Sequence, residues 1–142
     1  MEPATVNRDV DLDLAPDALW QLVSDPAEMS GWLGDDVDLD VRPGGTGTIA
    51  DGDGDVRDVR VDRVDAGRMV LTWWDRASAR ESEVVLEVIA RPDGGSRLRI
   101  TETLLGVPPA PQARAHALDA VRSAWEVRVL SLWACSVAAA LV

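Results

Sequence analysis

Few side chains in this sequence are equipped for chemistry, and their spacing narrows what that chemistry is. There is one histidine, His116, and one cysteine, Cys135. A metal site needs three or four convergent ligands, and nucleophilic catalysis needs a nucleophile beside a base. Both residues fall in what reads as one helix, where they lie about 28 Å apart by helical rise. His116 therefore reads as an exposed or satisfied histidine and Cys135 as a small buried apolar residue. Asp51, Asp53 and Asp55 alternate with glycine and match the first acidic ligands of an EF-hand loop. The places that would then need glycine and glutamate hold Val56 and Asp62, and both flanks read as strands, so an acidic hairpin turn is the better reading. Pro43-Gly44-Gly45-Thr46-Gly47 lacks the lysine and following helix of a phosphate cradle. No metal, no cofactor and no catalytic set is expected.

Glu102 is different. It alternates with Leu98, Ile100 and Leu104 on one strand face, so its carboxylate points inward. An inward carboxylate orients a ligand or acts as a weak general acid; at an open strand end it simply reaches water. Trp32, Trp73 and Trp125 are candidate cavity walls beside it, or plain core filling. Trp73 shares its face with Met69 and Leu71, whereas Trp74 has the opposite parity and belongs outside.

The formal charge of -11 and the 46% hydrophobic content describe an acidic chain of 142 residues able to build a core without staples. One cysteine excludes an intramolecular disulfide. Arginines occur singly among aspartates, as in Val56-Arg57-Asp58-Val59-Arg60-Val61-Asp62-Arg63, which reads as solvated sheet surface. That pattern and the net charge argue against nucleic-acid binding. No apolar run reaches the length of a membrane span and no leader pattern opens the chain, so a cytoplasmic location is expected. Lysine, phenylalanine and tyrosine are absent; tryptophan supplies every aromatic contact.

These residues need elements to hold them. Val6 to Leu14 alternates as a strand. Ala15-Pro16-Asp17 opens a helix with Leu19, Trp20 and Val23 on one side, and Ser24-Asp25-Pro26 stops it and starts a second short one. About six strands follow, separated by Pro43-Gly44-Gly45, the aspartate-glycine turn, Asp65-Ala66-Gly67 and Pro92-Asp93-Gly94-Gly95. From Gln112 to about Ala140 the period becomes helical, with Leu118, Val121, Trp125, Val129, Leu132, Ser136 and Ala139 on one stripe. The connections are too short for parallel crossovers. The prediction is one α+β domain over 1–142: a curved antiparallel sheet of six to seven strands wrapped around a long C-terminal helix, with two short helices after the first strand.

This layout resembles the helix-grip superfamily called SRPBCC or START-like, and within it the activator of heat-shock protein 90 ATPase homologue-like family. The resemblance rests on Ala15–Pro26, Met29-Ser30-Gly31-Trp32-Leu33, Arg42-Pro43-Gly44-Gly45, Gly67–Trp73, Asp93–Leu98, and Ala124-Trp125-Glu126 with Leu132, in order along nearly the whole chain. It departs from the family in lacking phenylalanine and tyrosine. The resemblance implies a cavity between sheet and last helix for an apolar or amphipathic small molecule, walled by Trp32, Trp73, Leu118, Val121 and Trp125 with Glu102 at its rim. It also implies two alternatives: a module assisting a chaperone ATPase, and a cyclase- or hydrolase-like enzyme using Glu102. A second apolar stripe, Leu130, Trp133, Val137 and Leu141, needs cover from the sheet or from a homodimer centred on Trp133.

Overall fold

The computed structural model describes residues 4–107 and 110–141. The elements are β1 (Ala4–Leu12), α1 (Pro16–Ser24), α2 (Pro26–Met29), β2 (Asp36–Leu39), β3 (Thr46–Ala50), β4 (Val56–Asp65), β5 (Arg68–Asp75), β6 (Glu81–Ala90), β7 (Ser96–Leu105) and α3 (Pro111–Ala140). This is the expected order: strand, two short helices, six strands, long helix. The first strand starts and stops earlier than its alternation predicts, because pairing with β7 ends at Leu12–Ser96. Leu14 is buried nonetheless, and its carbonyl accepts a hydrogen bond from the Ser96 hydroxyl at 2.7 Å.

Local chemistry sets the helix boundaries. Pro16 occupies the first turn of α1, where its missing N–H removes no helical bond. Asp25 ends α1 and caps α2, its Oδ1 accepting from the Ala27 N–H at 3.0 Å. The indole N–H of Trp32 then donates to the Leu22 carbonyl at 2.9 Å, pinning the following turn back onto α1. These two helices carry the chain from one edge of the sheet to the other.

The sheet has seven strands in the order β1-β7-β6-β5-β4-β3-β2, and every pairing is antiparallel. A bulge in β4 between Val61 and Arg63 breaks the register with β5 and adds local twist to the strand. The resulting inner face presents Val59, Val61, Met69, Leu71, Trp73, Val84, Leu86, Leu98 and Ile100, all buried. From α3, Ala117, Val121, Trp125, Val129, Leu132 and Ser136 are buried, at the helical spacing of one stripe. Leu118 is only partly buried and Ala139 is exposed, so the buried stripe is narrower at both ends than predicted. Arg8 of β1 reaches Glu126 of α3 at 2.7 Å across this junction.

The second stripe of α3 is not covered by the sheet. Leu130 is 70% exposed, Trp133 57%, and Val127, Val137 and Leu141 stand open as well. Wrapping by the sheet, one of the two covers considered for this stripe, is therefore excluded. On the outer face Trp74 is half-buried, as its parity requires, with the Arg60 guanidinium 5.4 Å from its ring centroid.

Pairing of the edge strand β2 depends on close backbone approach at Gly47. A Cβ there would stand 1.9 Å from the Asp38 carbonyl oxygen. Gly47→Ala is expected to destabilise the protein by about 1–3 kcal/mol or more. Urea unfolding measures it.

Candidate functional site

Between the sheet and α3 lies an open cavity of about 330 Å³. Its floor comes from alternate positions on adjacent strands: Arg57 of β4, Trp73 of β5, Ser82 of β6 and Glu102 of β7. The antiparallel register explains their convergence. Trp73 faces Ser82, and Glu102 faces Val84 two residues further along β6. From α3 the wall is Ala120, Val121, Ala124 and Arg128, spaced to lie on one side of the helix. The mouth is acidic, with Asp51, Asp53, Asp55 and Asp75 around it and Arg80 and Ser78 from the next turn.

Glu102 is buried, 5% exposed, and its Oε1 accepts from the Trp125 indole N–H at 2.8 Å. Trp125 is fully buried and stacks on Trp73, ring centroids 6.0 Å apart and planes 18° apart. Two guanidiniums lie over these rings. Arg57 sits 4.3 Å from the Trp73 centroid, and Arg128 lies 4.6 Å from Trp125 and 5.3 Å from Trp73. The arrangement is a cation–π layer between a helix and a sheet.

Burial disfavours charge on both arginines. It lowers the Arg57 pKa, against the pull of Asp51 and Glu102. Arg128 is lowered to about 10, first by burial and then by the nearby positive charge of Arg57. At the mouth charge is disfavoured too: neighbouring carboxylates, Asp53 first and then Asp75, raise the Asp55 pKa.

The structure brings Trp73, Glu102 and Val121 to one cavity. Trp125 does not line it; it stands behind, holding Glu102 and backing Trp73. Leu118 packs against the core outside the lining, and Trp32 is buried in the α1–α2 region with its N–H bound to Leu22. The sequence reading assigns neither cation to the site, nor Ser82, Ala120 and Ala124 to its lining. Arg57 reads in sequence as one of the solvated arginines of its strand, yet it shares parity with Val59 and Val61, and that parity is the available signal. Arg128 lies three residues beyond Trp125, close to the buried stripe.

Of the other sequence candidates, His116 and Cys135 lie outside the cavity lining, and the aspartate turn lies at its mouth. His116 is exposed. The Cys135 thiol, whose pKa burial raises, is 3.5 Å from the Gly31 carbonyl oxygen, tying α3 to the turn after α2. Asp51 to Asp55 is a hairpin turn in which the Asp53 carboxylate accepts from the Asp55 N–H. Among the described residues no group of three or more histidine, cysteine or acidic side chains is placed to hold a metal ion. Nor is any helix among them long and apolar enough to cross a membrane.

Residues 13–131 match the family described as Activator of Hsp90 ATPase homolog 1-like protein. The chain belongs to that family. Its curved antiparallel sheet and long C-terminal helix form the helix-grip fold expected from the sequence. No curated protein shows a significant sequence match. Solved structures do. DynU16, from the dynemicin biosynthetic locus, superposes with a TM-score of 0.76 at 22% identity over 92% of this chain. The chain spans about half of DynU16, 46% of its length. Protein MLL2253 from Mesorhizobium loti gives 0.75 at 22% identity, covering 92% of this chain and 95% of that one. SA2116 from Staphylococcus aureus, a protein of unknown function, gives 0.80 at 14% identity over 99% of both chains. At these identities the likeness concerns the fold alone.

The Glu102–Trp125 bond separates charge from hydrogen bonding. Glu102→Gln keeps an acceptor for the indole, whereas Glu102→Met leaves the N–H buried and unpaired. The methionine variant is expected to be less stable than the glutamine variant by about 1–3 kcal/mol in urea titrations.

Proposed function

We propose that residues 1–142 form a single cytoplasmic domain that holds an amphipathic small molecule between the sheet and α3. The observation that carries this reading is the open cavity of about 330 Å³ walled by Trp73, Val121 and Ala124, with Glu102, Ser82 and Arg57 as polar contacts. Its size falls at the small end of the range of about 300–1,000 Å³ usual for ligand sites. Its mix of indole, aliphatic and charged groups suits an amphipathic ligand better than a purely apolar one. The cyclase- or hydrolase-like alternative is weaker, because Oε1 of the one inward carboxylate is already bound to Trp125. Filling the cavity tests the proposal. Native mass spectrometry of gently purified protein is expected to show a bound small molecule, lost in Ala124→Trp. Wild-type protein that carries no adduct, and whose tryptophan fluorescence ignores naphthalene-based amphiphiles, overturns the reading.

A second reading concerns assembly, and the exposed stripe on α3 favours it. From Val129 to Leu141 the helix carries no charged residue, although the chain as a whole carries -11. The general repulsion between copies is therefore weakest along Leu130, Trp133 and Val137. We propose that two copies pack these stripes together about a two-fold axis, with Trp133 as the anchor. A chaperone partner, which the family description brings to mind, is the competing occupant. Sedimentation is expected to show a dimer at tens of micromolar that Trp133→Glu dissociates; a monomeric wild type ends the idea.

A further inference from the structure

The inner end of the cavity holds positive charge that its protein partners do not fully use. The Arg57 side chain is 6% exposed and lines the cavity. Its Nη2 donates to the Leu33 carbonyl at 3.2 Å and reaches Asp51 Oδ1 at 3.5 Å. Its Nε and Nη1 are buried with no acceptor among the described residues. The stacking on Trp73 leaves them unsatisfied, since a cation–π contact uses the face of the guanidinium and hydrogen bonds use its edge. Arg128 adds a second cation to the same lining, held over Trp125 and Trp73 without a salt bridge among the described residues.

Against these two cations stands one buried carboxylate among the described residues, Glu102, whose Oε1 is engaged by Trp125. Asp51 is a partial partner only, 3.5 Å away and itself a third exposed. A buried donor without an acceptor is costly to folding, and buried charges are otherwise paired. The missing acceptor is one that a ligand can bring.

We propose that the ligand of this cavity carries a single oxyanion, a carboxylate or an enolate, paired with the Arg57 guanidinium and with Arg128 beside it. This rests on the ligand-cavity reading above and specifies the ligand's class. The mouth sets the other half of the specificity. Asp51, Asp53, Asp55 and Asp75 line it, so charge beyond the one seated on the arginines meets carboxylates. The body of the ligand is accordingly neutral or cationic, and a doubly charged phosphate monoester is disfavoured.

Three probes of one shape test this by calorimetry: 2-naphthoate, 2-naphthalenemethanol and 2-naphthyl phosphate. 2-Naphthoate is expected to bind at least tenfold more tightly than the alcohol and more tightly than the phosphate. Arg57→Met and Arg128→Met are expected to remove the preference for 2-naphthoate over the alcohol. Should Arg57→Met not fold, Arg128→Met decides alone, and a preference it retains overturns the proposal. Alcohol binding as tightly as 2-naphthoate overturns the oxyanion and leaves the cavity standing. Binding of none of the three removes the cavity reading and this inference together. Phosphate binding more tightly than 2-naphthoate overturns the restriction to one charge.

Discussion

A carboxylate facing the inside of a sheet needs a donor, and Glu102 finds its donor on the helix opposite. The 2.8 Å bond to Trp125 joins the middle of α3 to β7, the strand that lies between β1 and β6. A long helix against a curved apolar face has no strong register of its own, because hydrophobic contact is non-directional. A directional bond at full burial supplies that register. With Trp125 so fixed, Ala124 and Arg128 fall toward the cavity, Val121 and Val129 fall into the buried stripe, and Glu126 meets Arg8. The cavity is then the space beside the bond that the sheet does not close.

The lack of phenylalanine and tyrosine gives this core a particular character. An indole brings an N–H with its bulk, so each buried ring needs an acceptor as well as a space. Trp32 takes the Leu22 carbonyl and Trp125 takes Glu102. The two tryptophans of β5 lie beneath guanidiniums, Trp73 under Arg57 and Trp74 under Arg60. The packing of this protein is thus tied to polar partners at the positions where a phenylalanine would have packed freely. That is why a site inside its core is charged.

The architecture was legible because it rests on periodicity. Alternation in β4 to β7 and the glycine-proline turns between them gave the strands, and the change of period after Val107 gave α3. The inward aim of Glu102 followed from the same parity. What periodicity does not report is which inward residues meet across elements. Trp32 and Trp125 have similar chemistry in sequence, yet one lies by α1 and the other beside the cavity, a difference set by tertiary position alone. Arg57 was legible in principle, since 57, 59 and 61 share a face, but an arginine among aspartates looks solvated until its strand is seen to be the cavity floor. Arg128 had no such signal, because it flanks the stripe and only the curvature of the sheet decides that this flank is inside.

The two outermost strands have a consequence of their own. β1 and β2 each have a sheet neighbour on one side only. Along β2 the outward residues are Asp36 and Asp38, and along β1 they include Asp9 and Asp11, which pair sideways with Arg99 and Arg97 of β7. An unpaired strand edge is a template for another chain, and proteins blunt it with charge. Here the β2 edge carries exposed carboxylates, so that two such edges approaching each other bring negative rows together, while on β1 charged side chains already paired with β7 crowd the edge. The fold is guarded in this way against growing into a ribbon.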